Sequence, residues 1–199
     1  MSADSPSSTR LFLNDVAQTL VILAVIAAVL FTVTGVWPPM VAVESGSMEP
    51  HLERSDLVLI TDEGRFAGPA ADTNDVVTAN ASEGYGRIGG HGDVIVYKQP
   101  SRTDSPIIHR AVFHVEKGEN WYGEANKSYV LGADSCSELR NCPAPHAGYI
   151  TRGDNNDYYD QAHTIAPPVK PDWIRAKAQF HIPYLGSVRL ELQKLAAGR

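Results

Sequence analysis

Between Val16 and Val36 the chain reads VAQTLVILAVIAAVLFTVTGV, without one charged side chain. A helix needs about 20 apolar residues to cross the hydrocarbon core of a bilayer, so this run has the length of a membrane span. Two rival structures share the pattern. One is a buried core helix, which at this purity is usually shorter. The other is a cleavable leader, whose apolar region is about 7–15 residues long and ends in an Ala-x-Ala-like exit. This run is longer and leaves through GVWPPM. The expected organisation is therefore a tail over 1–15, an anchor over 16–37 with Trp37 at the membrane interface, and everything else in 38–199. Arg10 precedes the run and no Lys or Arg follows it until Arg54. The positive-inside bias then puts the N-terminus in the cytoplasm and the chain from about Pro38 onward outside the cell membrane or in a lumen. The Ser-rich opening MSADSPSSTR reads as a disordered tail.

Beyond the anchor, helical periodicity gives way to short branched runs separated by turn formers. Strands are expected over Met40–Val43, Asp56–Thr61, Asp93–Lys98, Pro106–Glu116, Asn120–Glu124, Gly148–Arg152 and Trp173–Ile182. The fold class is all-β, preceded by one N-terminal transmembrane helix. Two long polar stretches, 62–92 and 126–147, read as insertions on a compact β core. The C-terminal SVRLELQKLAAGR suits a short amphipathic helix, with Val188, Leu192 and Leu195 on one side, lying on the sheet or on a membrane surface. A chain of 199 residues leaves little room for a second domain, and 43% hydrophobic content supports a real core. The net charge of −6, with no Lys/Arg cluster, argues against a nucleic-acid partner.

Cys136 and Cys142 enclose a short polar loop; outside the cell such a pair more often forms a disulfide than stays free. A metal site would need more ligands at suitable spacing, and the seven histidines show no paired spacing. NAS at Asn80 and NKS at Asn126 are glycosylation-type sequons.

The chemistry concentrates in three peptides. SGSMEPHL, Ser45–Leu52, sets Ser47 in a small, turn-prone segment just past the anchor. A serine hydroxyl is a weak nucleophile until a base reaches it and a third group orients that base. The alternative is a helix cap, with a short helix beginning near Glu49. The base candidate is His109 in PIIHRAVFHVE, where alternation groups Ile107, His109, Ala111, Phe113 and Val115 on one apolar face. Arg110, His114 and Glu116 fall on the other, expected to be wetter. A histidine on an apolar face is commonly only a satisfied core residue; burial also disfavours charge, and a general base must be neutral to accept a proton. The third peptide, TRGDNNDYYDQ, offers Asp154, Asp157 and Asp160 as orienting or bracing carboxylates in a tight turn. Solvated acidic loop and calcium loop are its other readings, although the EF-hand register is missing.

In combination and order these peptides resemble the type I signal peptidases, closest to the archaeal and endoplasmic-reticulum branch. The matching residues are Ser45-Gly46-Ser47-Met48-Glu49-Pro50, the Gly-Asp strand opening at Gly92 with an imperfect copy at Ser55, His109-Arg110, Gly153-Asp154-Asn155-Asn156, and IPYLG at Ile182–Gly186. The resemblance implies a coiled β peptidase domain on a membrane anchor, with Ser47 as nucleophile and His109 as base where the bacterial branch uses lysine. By the family's spacing it implies Asp160 as the essential acid and Asp154 as support. The Ser47 N–H and Ser45 hydroxyl would bind the oxyanion, Arg110 would be a supporting residue, and Met48 with Met40–Val43 would help form shallow pockets for small substrate residues. It implies no metal or organic cofactor. The expected partners are signal-peptide-bearing precursors, the lipid bilayer and, as a further candidate, the secretion translocon. Another tethered serine peptidase of the same fold and a non-catalytic anchored β-domain are the competing readings.

Overall fold

The structure, a computed structural model, describes residues 8–100, 103 and 105–196, so the opening Ser-rich residues 1–7 lie outside it. Helix α1, Ser8–Thr34, is one continuous apolar rod whose side chains are almost all exposed. It begins earlier than the uncharged run and stops before Trp37, which stands exposed just beyond it. The helix end is tied to the domain that follows. Arg65 Nη1 donates to the carbonyls of Thr32 at 2.6 Å and Val33 at 3.3 Å, and the Asp62 N–H donates to the Thr34 carbonyl at 2.8 Å. These bonds use carbonyls that the helix itself leaves unpaired, and a cation there suits the helix dipole.

The remainder is an antiparallel β domain. Its strands are β1 (Met40–Ala42), β2 (Leu57–Thr61), β3 (Gly86–Arg87), β4 (Gly90–His91), β5 (Val94–Tyr97), β6 (Ile107–Val115), β7 (Gly148–Arg152) and β8 (Ile174–Ile182). The main sheet has six strands in the order β1-β2-β8-β5-β6-β7, and β3 and β4 form a small separate hairpin. Apolar residues on the pleat bury two ways. Val58, Val94, Val96 and Ala178 join Met48 and Leu52 in one cluster, while Ile95, Tyr97, Ala111 and Tyr149 form another with Val76.

Two expectations need correction. The first concerns β6. Its pairing with β7 slips between Ala111 and Phe113, so that Ala111 faces Thr151 and Phe113 faces Ile150. One extra residue on one strand is a bulge, and it turns the following side chains to the other face. Phe113 and Val115 therefore leave the His109–Ala111 face and pack with Trp121, Ile150 and Tyr159. Arg110, expected on a wet face, is buried. The second concerns Asn120–Glu124, which is a turn and not a strand. The Asn120 side chain accepts from the Tyr122 N–H at 3.2 Å, curling the chain so that Trp121 drops wholly into the core and donates to the Asn141 carbonyl at 2.8 Å.

The expected C-terminal helix forms as α2, Gly186–Ala196. Val188 and Leu195 are exposed, so the side expected to be apolar does not rest on the sheet, and the Leu192 side chain lies outside the described residues. Arg189, instead, reaches the Met40 carbonyl on the edge strand. The stretch 126–147 carries a 3-10 turn at Lys127–Tyr129 and a disulfide joining Cys136 to Cys142. The stretch 62–92 is folded onto the sheet, with Val76, Val77 and Ile88 buried.

Candidate active site

The octapeptide Ser45–Leu52 forms turns with no helix following, so Ser47 is not a helix cap. The Glu49 N–H bonds back to the Gly46 carbonyl at 3.2 Å, and the Leu52 N–H to the Met48 carbonyl at 3.0 Å. Met48 and Leu52 are driven into the core, which leaves the Ser47 hydroxyl facing outward. A second turn, Gly153–Asn156, docks against it. The Asn155 N–H donates to the Ser47 carbonyl at 2.9 Å, and the Asn155 amide to the Gly46 carbonyl at 3.1 Å. Glycine at 153 is a packing requirement: a Cβ there would lie 2.5 Å from the Ser47 carbonyl oxygen and 2.9 Å from His109 Nε2.

His109 projects from β6 between the two turns. Its Nε2 lies 2.9 Å from Ser47 Oγ and its Nδ1 lies 2.6 Å from Asp160 Oδ2. Both partners of that second contact are almost completely removed from solvent. Asp160 is loaded on one oxygen. Thr151 Oγ1 donates to Oδ2 at 2.6 Å and the Tyr97 hydroxyl donates to it at 3.0 Å. Strands β5, β6 and β7 thus each contribute one side chain to a single carboxylate oxygen. Oδ1 is buried with no hydrogen-bond partner among the described residues. The Ser45 hydroxyl lies 3.2 Å from Ser47 Oγ.

This chain of contacts opens onto a groove of about 650 Å³ lined by Val41, Ser47, Ile107, His109, Tyr158 and Ile165 among others. One wall is β1 and its continuation to Ser45; the other is the start of β6. The Ser105 hydroxyl bonds to the Glu44 carboxylate at 3.0 Å between those walls. Since Val41 is paired with Val58 of β2 and Val43 exchanges bonds with Ser55 and Asp56, the N–H and C=O groups of Ala42 face away from β2, along an edge that pairs with no further strand among the described residues. An extended peptide can add to such an edge through its main chain, with side chains entering apolar pockets.

A similar protein is the signal peptidase complex catalytic subunit Sec11 of Schizosaccharomyces pombe, which is 28% identical over 190 residues, covering 91% of this chain and 84% of that one. No protein-family model matches the chain. This chain is a relative of the type I signal peptidases of the reticulum and archaeal branch. Taken with the exposed apolar helix α1, the relation makes it a single-pass membrane protein of peptidase kind.

Within this signal-peptidase relative the remaining sequence-derived candidates separate clearly. Asp154 does not reach His109. It receives Arg110 Nε at 2.8 Å and Arg110 Nη2 at 2.5 Å, and it meets His51 Nδ1 at 2.8 Å. Burial by itself would raise the Asp154 carboxyl. The hydrogen bonds and charge of Arg110, followed by those of His51, outweigh it and hold the group below the usual carboxylate value. Arg110 spends its other donors on the carbonyls of Arg87, Ile88, His91 and Gly92. Asp157 is exposed. Met48 lines the groove but is a buried floor, its Sδ accepting the Asp154 N–H at 3.4 Å. Val41, Ala42 and Val43 also line the groove.

Thr151, Tyr97 and His51 were not singled out from sequence. Thr151 could have been found from its place two residues before Gly153 in a strand whose polar member faces inward. Tyr97 and His51 carry no local signal.

Proposed function

We propose that this protein is a membrane-anchored serine endopeptidase that removes N-terminal signal peptides from secreted precursors, cutting after small residues. The observation that carries the reading is the continuous contact from Ser47 Oγ through both nitrogens of His109 to the buried Asp160, opening onto an apolar groove bordered by the edge strand β1. The similarity to Sec11 supports signal-peptide processing as the activity.

In this mechanism Nδ1–H of His109 donates to Asp160, which fixes the tautomer and leaves Nε2 to accept the Ser47 proton as Oγ attacks the scissile carbonyl. The imidazolium so formed faces the Asp160 carboxylate. The Ser47 N–H and the Ser45 hydroxyl stabilise the oxyanion, each such donor being worth on the order of 10²–10³ in turnover. His109 then returns the proton to the leaving amine, and the acyl-enzyme is hydrolysed by a water activated by the same imidazole. Asp154 and Arg110 support the turn and do not touch the reacting atoms.

Anchor and site act together. Groove residue Pro38 follows α1 by only a few positions, so a precursor still held in the membrane presents its cleavage region at the same level. The positive-inside reading places the N-terminus in the cytoplasm and the β domain outside the cell membrane, a compartment in keeping with the Cys136–Cys142 disulfide. The test is processing of a secretory precursor by membranes carrying wild-type protein or Ser47→Ala. Wild type should release the mature chain, and Ser47→Ala should lose about 10⁶ in turnover; equal processing by the two would rule out Ser47 as nucleophile.

A further inference from the structure

The proposed nucleophile sits on a turn, and turns hold atoms less firmly than strands do. Three of the contacts that fix this one come from its backbone or core side: Asn155 on the Ser47 and Gly46 carbonyls, and Met48 beneath Asp154. The fourth is a side chain outside the motif, His51, whose Nδ1 lies 2.8 Å from Asp154 Oδ2. Arg110 occupies both oxygens of that carboxylate and follows His109 directly in β6. On its other side the His51 ring abuts Gly89 in the turn joining β3 to β4, where a Cβ would lie 2.4 Å from ring carbon Cδ2. The same turn is fixed from below, because Arg110 donates to the Arg87 and Ile88 carbonyls. His51 thus fills a slot whose two walls are both held by Arg110.

We infer that His51 is a positioning residue for Ser47: by donating to Asp154 it locks the far end of the Ser45–Leu52 turn, through Arg110, to the strand that carries His109. The inference rests on the proposed peptidase reading and deepens it. The distance it controls is Ser47 Oγ to His109 Nε2, and a misplacement of about 1 Å there costs as much as 10²-fold in rate. His51 does not line the groove, so substrate affinity should not depend on it.

Two substitutions in the full-length membrane protein separate hydrogen bonding from packing. His51→Phe keeps a ring against Gly89 but cannot donate. His51→Asn places an amide nitrogen where Nδ1 lies. With precursor concentration varied, His51→Phe should lower kcat by roughly 10- to 100-fold at unchanged KM, and His51→Asn should return kcat to within about 3-fold of wild type, both with the Tm of wild type. Wild-type kcat in His51→Phe would overturn the inference, as would equal losses in both variants or losses that follow Tm. Ser47→Ala run alongside keeps the two proposals apart. Activity in Ser47→Ala sinks the peptidase reading itself, whereas an inactive Ser47→Ala beside an unaffected His51→Phe sinks only the role of His51.

Discussion

His109 and His51 each meet an aspartate through Nδ1, at 2.6 Å and 2.8 Å, yet the surroundings make the two pairs opposites. Around Asp160 the other donors are hydroxyls, from Thr151 and Tyr97, which satisfy the oxygen without cancelling its charge. In a dry site that uncancelled charge is strongly felt by any cation that forms nearby, which in the proposed mechanism is the imidazolium of His109. Around Asp154 the neighbour is a guanidinium in a two-point grip, so the charge is already paired. The same two residue types serve as a reserve of field in one place and as a fastener in the other. The neighbour's charge decides which.

The sharpest way to break this comparison is to remove one charge at a time. Asp160→Asn should leave the fold intact and lower precursor turnover by about 10⁴, because the amide favours the wrong imidazole tautomer and offers no charge. Asp154→Asn should act mainly on stability, costing ~3 kcal/mol in chemical denaturation by leaving the Arg110 guanidinium buried without its partner, and should lower turnover far less than Asp160→Asn does, by no more than the roughly 10- to 100-fold set by the hold of His51 on the turn. A swap of these effects would show that the roles are reversed. Gly153→Ala probes the ground between the two pairs. Its new Cβ would press on both the Ser47 carbonyl and His109 Nε2, so kcat should fall about 10²-fold as the two move apart.

The smallest effect is one of pH. Since the Asp154 carboxyl titrates below its ordinary value when folded, its stabilising contribution is complete above the unfolded pKa of about 3.9 and is lost as pH falls through the lower folded value. Wild type should therefore lose denaturation resistance below about pH 4 more steeply than Asp154→Asn. Parallel acid limbs for the two proteins would remove Asp154 from the account.

Much of this arrangement is legible in the amino-acid sequence. The apolar run, the strands and the octapeptide were legible because each is a local pattern of period or composition. Even the imperfect copy of the Gly-Asp strand opening was meaningful: Ser55 adopts φ 71° and Gly92 φ 72°, so both openings share one left-handed backbone, and each is followed by a buried aspartate. What stayed hidden depends on contacts between distant segments. A single bulged residue in β6 moves Phe113 and Val115 to another cluster, and no local pattern announces it. The placement of β8 between β2 and β5 is likewise a matter of long-range pairing. His51 acquires its partner from a residue 103 positions away, and Asn120–Glu124 turns because Trp121 has a core to fill.

The spacing of the contacting residues has a consequence in time. Ser47 emerges from synthesis soon after the anchor, but His109 follows it by 62 positions and Asp160 lies a further 51 beyond. Contacts of such long separation form late, after the intervening chain has been ordered. Until β5, β6 and β7 have paired, His109 and Asp160 cannot stand in line with Ser47. On the proposed reading, a partly made chain carries an inert hydroxyl beside its own apolar helix, and the power to cut arrives only with the completed domain.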